Sequence, residues 1–88
     1  MKTIRYSAKF KKDYKRCKKR GLPLEELSVV LDLLVKGTSL PEKYHDHELV
    51  GNYSGHRECH IMPDWLLVYR LEDEEVIITA VRIGSHAD

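Results

Sequence analysis

The sequence predicts an α+β fold in which a helix hairpin packs on one face of a mainly antiparallel sheet. Three observations predict it. Apolar residues recur at helical spacing between Ser7 and Gly37. From His56 onward they alternate or run together as β-branched stretches. Glycines and prolines mark the border between the two patterns. The expected order is strand, helix, helix, three strands.

Each element has its own reason. Thr3-Ile4-Arg5-Tyr6 alternates polar and apolar, as a short strand does. Ser7 offers an N-cap oxygen to a helix running to about Arg20, with Phe10, Tyr14 and Cys17 as its apolar stripe and lysines elsewhere. Gly21 stops it. Pro23 opens a second helix, where a missing amide hydrogen costs nothing, and Glu25 and Glu26 suit the positive end of its dipole. Leu24, Leu27, Val30, Leu31, Leu34 and Val35 give it a wide apolar face, and Gly37 ends it. The Gly-Leu-Pro link makes the pair an antiparallel hairpin.

From Thr38 to Gly55 the chain reads as loop, punctuated by Pro41, Gly51 and Gly55. Strands are then expected over His56 to Met62, Trp65 to Leu71 and Val76 to Ile83. On the first of these, Arg57, Cys59 and Ile61 share one face, and Glu58 and His60 the other. Pro63-Asp64 and the charged run Glu72 to Glu75 are the turns between them.

At 88 residues the chain is one domain, 1–88, with a modest core. No apolar run approaches the roughly 20 residues of a membrane helix. The N-terminus has charge but no apolar stretch, so it does not read as a signal peptide. Cys17 and Cys59 lack metal-ligand spacing and read as buried or half-buried thiols of a cytoplasmic protein. The net charge of +1 hides an asymmetry. Residues 1–21 hold ten Lys or Arg and one acid, Asp13, whereas the rest holds five Lys or Arg and thirteen acids. A basic block on one helix is the usual footprint of nucleic-acid contact, or else simply a solvated face.

The chemistry-bearing residues are His47, His60, Asp64 and His86. Imidazoles titrate near neutral pH, so a cluster of them can give and take protons. RNA can be cut by such groups without a metal. A base takes the ribose 2′-proton, an acid protonates the leaving 5′-oxygen, and a cation steadies the phosphoryl oxygens. Arg57 and Arg82 are available for the last role. Each residue also has a plainer reading. Asp64 after Pro63 is a turn residue. Trp65 is a core aromatic that also frames the site edge. Arg57 and Arg82 can pair across strands with acids such as Glu58 or Glu74. His45 and His56 have no neighbour that assigns them a role. A zinc site from His45, His47, His60 and His86 is the competing reading, but no cysteine pair or His-Glu-x-x-His spacing supports it.

Taken together, these motifs resemble the YafQ-like branch of the RelE/ParE superfamily of bacterial type II toxins, over nearly the whole chain. The resemblance rests on Tyr44-His45-Asp46-His47-Glu48-Leu49-Val50-Gly51, Gly55-His56-Arg57-Glu58-Cys59-His60, Pro63-Asp64-Trp65-Leu66-Leu67-Val68-Tyr69 and Arg82-Ile83-Gly84-Ser85-His86. It implies a RelE-like fold and a toxin that enters the A site of the 70S ribosome and cleaves mRNA there, with no metal or cofactor. The products would be a 2′,3′-cyclic or 3′-phosphate and a 5′-hydroxyl. It also implies a DinJ/RelB-like antitoxin, through which operator DNA is bound. Carried over by position, the catalytic set is His47, His60, Asp64 and His86, with His86 and Asp64 the leading acid–base groups. Arg82, Arg57 and Trp65 are the expected substrate contacts. Lys9, Lys11, Lys12, Lys15, Lys18 and Lys19 are expected to grip ribosomal RNA phosphates. The family commonly ends in an aromatic a few residues beyond this histidine, whereas this sequence stops at Asp88, which leaves a stacking contact to the mRNA base open. Two alternatives remain: a ParE-type gyrase poison, against which the histidines argue, and a non-catalytic relative that binds only antitoxin or operator.

Overall fold

The computed structural model describes residues 1–83. Strand β1 (Thr3–Tyr6) leads into helix α1 (Ala8–Lys19), which a short turn joins to helix α2 (Leu24–Val35). Strands β2 (His47–Glu48), β3 (Arg57–Met62), β4 (Trp65–Leu71) and β5 (Glu75–Ile83) follow. All belong to one five-stranded sheet, in the order β1-β5-β4-β3-β2. Every pairing is antiparallel except that of β1 with β5. The α+β expectation is met, including the mainly antiparallel sheet.

Local chemistry sets the helix ends. The Ser7 hydroxyl accepts the Phe10 amide at 2.9 Å, satisfying an otherwise unpaired N–H of the first turn. Gly21, with φ of +76°, closes α1: its own amide bonds Lys18 O and that of Leu22 bonds Cys17 O. The same closure recurs after α2, where Gly37 and Thr38 donate to Leu34 and Leu33. A side chain at either glycine would have to adopt a left-handed conformation that L residues rarely take.

Both helices bury their stripes on one face of the sheet. Phe10 and Cys17 from α1 and Leu27, Val30 and Leu34 from α2 meet Cys59, Ile61, Trp65, Leu67, Tyr69, Val76, Ile78 and Val81. A register shift in β5 opposite Val68 and Tyr69 lets Ile78 and Val81 both point inward. β1 stops at Tyr6, opposite Ile78, so β5 has no strand partner on that side beyond this point. Side chains replace it. Ser7 Oγ donates to the Thr79 carbonyl, and Asp13 accepts the Val81 amide at 2.9 Å. Asp13, the one acid of the basic block, is thus 4% exposed and stitches α1 to the sheet. Lys9 and Arg16 flank its carboxylate at 3.3 Å each.

The segment expected to be loop is more structured than its composition implied. It contains tight helical turns at Glu42–Tyr44 and Gly51–Tyr53 and the two-residue strand β2. Tyr44, 3% exposed, anchors the first turn in the core. A two-residue strand is too short to leave any alternation in the sequence, so the expected three late strands are four.

Candidate active site

Strand alternation sorts the functional residues onto two faces. Directly paired residues of neighbouring strands share a face. One row runs His47, Glu58, Val68, Ala80, and the next runs His60, Leu66, Arg82. None of these belongs to the helix-side core cluster, so they occupy the sheet face opposite the helices, where Glu58, Leu66, Val68 and Ala80 are buried and His47 and Arg82 partly exposed. The complementary row, Glu48, Arg57, Tyr69, faces the helices.

On the open face, polar groups converge on Glu58. Its carboxylate is only 7% exposed. One oxygen lies 3.4 Å from His47 Nε2 and the other 3.5 Å from Arg82 Nη1. The His60 ring lies beside them, its centroid 6.1 Å from that of His47 and 5.6 Å from that of His45. A buried carboxylate beside an arginine and two imidazoles is a proton-sharing arrangement. Glu58 was missed as a site residue in its own right. Its signals were its place two residues before His60, on the same strand face, and the cross-strand pairing open to Arg82.

His47 is oriented as well as placed. Its Nδ1 lies 2.9 Å from the His45 carbonyl oxygen. A carbonyl only accepts, so Nδ1 carries the proton of this bond and Nε2 is the ring nitrogen turned toward Glu58. His45 itself adopts φ of 48° and ψ of 46°, a left-handed conformation rare for a residue with a side chain.

On the opposite face, directly behind His47, Asp46 is held fast. Arg57 donates to its carboxylate through Nε at 3.2 Å and Nη2 at 2.9 Å. The Tyr69 hydroxyl donates to the other oxygen. The Asp46 hydrogen bond is the main cause that holds the Arg57 guanidinium still further from neutrality. Burial, reinforced by Asp46, pushes the Tyr69 phenol up, so it remains a donor. These groups line a cavity of about 480 Å³ beneath α2, with Leu34, Leu40 and Leu71 as apolar walls.

The remaining expected residues fall as follows. Asp64 is exposed, in the turn joining β3 to β4, beside the end of β5, where Ile83 pairs with Trp65. His86 lies outside the described residues. Two substrate contacts need correction. Arg57 faces the helices and is committed to Asp46 and Glu48, because it has the opposite strand parity from His60. Trp65 is 1% exposed and belongs to the core rather than to the edge of the site. Lys11, Lys12, Lys15, Lys18 and Lys19 are exposed on α1, and Lys9 is exposed but paired with Asp13.

The donor atoms of His47, Glu58 and His60 all lie within 4.8 Å of one another, close enough to hold a metal ion. Two histidines and a carboxylate are a common donor set for zinc or copper. Among the described residues, no helix is long and apolar enough to cross a membrane.

Comparison with known proteins bears on family and fold. The sequence profile of the family described as bacterial toxin of type II toxin-antitoxin system, YafQ, matches residues 2–88. The mRNA interferase toxin YafQ of Escherichia coli K12 is 39% identical over 85 residues, spanning 96% of this chain and 90% of that protein. Of the solved structures, a metal-bound toxin from Helicobacter pylori superposes with a TM-score of 0.89 at 37% identity, covering 100% of both chains. YafQ in the E. coli DinJ–YafQ complex superposes with a TM-score of 0.87 at 33% identity, over 94% of this chain and 93% of that one.

Proposed function

Because this chain belongs to the YafQ family of bacterial type II toxins, we propose that it is an mRNA interferase: an endoribonuclease that cuts messenger RNA in the ribosomal A site and so stops translation. The observation that carries the reading is the gathering of His47, His60 and Arg82 about the buried Glu58 on the sheet face opposite the helices. The partly exposed His47 and Arg82 are within reach of a polymer.

The chemistry follows from the atoms that face outward. His47 Nε2, backed by Glu58, takes the proton of the ribose 2′-hydroxyl, and the freed oxygen attacks the adjacent phosphorus. Arg82 and His60 stabilise the charge that develops on the phosphoryl oxygens. The leaving 5′-oxygen needs a proton, and His86 with Asp64 supplies it. The products are a 2′,3′-cyclic phosphate and a 5′-hydroxyl. No step calls for a metal, since the residues provide base, acid and cation.

The lysines of α1 grip ribosomal RNA, and a DinJ-like antitoxin neutralises the toxin and carries it to operator DNA. The relatives' complex with DinJ supports the antitoxin, and the exposed basic helix supports the RNA contact.

Primer extension on a translated mRNA, with and without ribosomes, tests the reading. Cuts within codons only when ribosomes are present are expected. Equal cutting of free RNA would overturn the ribosome dependence, and no cutting at all would overturn the activity.

A further inference from the structure

The open face holds the chemistry, but the atoms that fix His47 lie on the other side of the sheet. Asp46 sits between His45 and His47 in the chain; its carboxylate meets Arg57 and Tyr69 of the helix-facing row, while the rings of His45 and His47 stand beside that of His60. Three donor–acceptor contacts from Arg57 and the hydroxyl of Tyr69 converge on its carboxylate. The residues involved are eleven and twenty-three positions away in sequence. They come from β3 and β4, the rigid centre of the sheet. One residue before this anchor, His45 holds its left-handed conformation, and its carbonyl meets His47 Nδ1 at 2.9 Å. Strained backbone of this kind persists only where its surroundings over-determine it.

We propose that Asp46, Arg57 and Tyr69 form a positioning clamp that sets the tautomer and aim of His47. The clamp fixes the Asp46 backbone. That keeps His45 left-handed and its carbonyl turned toward His47. The carbonyl accepts a hydrogen bond from Nδ1–H, which leaves Nε2 as the nitrogen that faces Glu58 and the substrate. A metal-ligating or catalytic histidine commonly has its second nitrogen fixed in this way. Here the orienting carbonyl is itself held by a half-buried ion pair on the far face. Arg57 is therefore a positioning residue, which explains its place in the motif without any contact to phosphate.

The inference rests on the proposed role of His47, and the test separates the two. Nitrogen chemical shifts of the His47 ring, read by long-range proton–nitrogen NMR on the free protein, report the tautomer without reference to cleavage. Wild type should show Nδ1 protonated and Nε2 bare at a pH where the ring is neutral. Asp46→Asn should mix the two tautomers and lower kcat about ten- to a hundred-fold with KM nearly unchanged. Tyr69→Phe, which keeps the ring in the core, should do the same to a smaller degree, and decides the matter if Asp46→Asn does not fold. Arg57→Lys should restore part of what Arg57→Ala loses. An unchanged His47 tautomer in folded Asp46→Asn or Tyr69→Phe would overturn the clamp. If instead the tautomer shifts but His47→Gln cuts RNA at the wild-type rate, the clamp stands and the catalytic role of His47 falls.

Discussion

The two faces of the sheet are made from alternate residues of the same strands, yet they are built to opposite rules. The helix face buries Cys59, Ile61, Trp65, Leu67 and Tyr69, and the carboxylate of its Asp46 clamp is bonded on both oxygens. The open face leaves His47 and Arg82 half-exposed and gathers them on a carboxylate at 3.4–3.5 Å, longer than good hydrogen bonds. Contacts of that length are available to a substrate. Satisfied polar groups rigidify, while loosely paired ones can trade partners, and a small nuclease needs both within one sheet thickness.

That division predicts that stability and activity separate by face. Trp65→Ala, on the helix face, should lose about 3–5 kcal/mol in denaturant unfolding. Glu58→Gln, on the neighbouring strand but the open face, should unfold within about 1 kcal/mol of wild type, yet cleave roughly a hundred-fold more slowly, about 2.7 kcal/mol in the barrier. Comparable losses of stability in both variants would erase the distinction between the faces.

How much of this was legible depends on how far apart in sequence the partners lie. The boundaries of β1 and β4, the Ser7 cap and the glycine stops were readable because each is written within a few residues. So was the parity of β3, which already placed Arg57 opposite His60. The pairing of β1 with β5 joins residues some seventy positions apart, and Asp46 meets Tyr69 across twenty-three. No local pattern encodes such meetings. Asp13 illustrates the same point. It stands as the one acid among ten basic residues, and only the fold shows that it replaces a missing strand at Val81. Residue type picked out His47, His60 and Arg82, whereas strand register places Glu58 between them.

Metal gives the next test. If His47 and His60 work as proton carriers, an ion held between them and Glu58 removes both from the reaction. Stoichiometric zinc or copper should then slow cleavage about ten-fold or more, some 1.4 kcal/mol, and a chelator should restore it. Acceleration by the metal would recast the open face as a metal-dependent centre.

Alkaline pH probes the other side. Burial pushes the Cys59 thiol from 9.0 up to about 12, and raises Cys17 as well. The folded values lie above the unfolded one, so the stabilisation is complete below pH 9 and is lost as pH climbs toward the folded pKa. Unfolding free energy should therefore fall by about 1–2 kcal/mol between pH 8 and pH 10. Cys59→Ala should flatten that slope. Greater stability at pH 10 than at pH 8 would mean that these thiols ionise in the folded protein.

The smallest effect on folding, and the clearest contrast with either sheet face, belongs to the basic surface of α1. Lys15 and Lys18 are exposed, and neither takes part in the Asp13 stitch that occupies Lys9 and Arg16. Reversing either charge should shift stability by less than about 0.5 kcal/mol. Ribosome affinity should behave differently. Each lysine that meets a phosphate releases counterions on binding, so its loss lowers the slope of log affinity against log salt by about 1. Lys15→Glu and Lys18→Glu should each show that decrement in ribosome pelleting across a salt series, while the single-turnover rate on bound ribosomes stays unchanged. A fall in that rate with the salt slope intact would place these lysines in the chemistry rather than in docking, and the division of labour between α1 and the open sheet face would have to be redrawn.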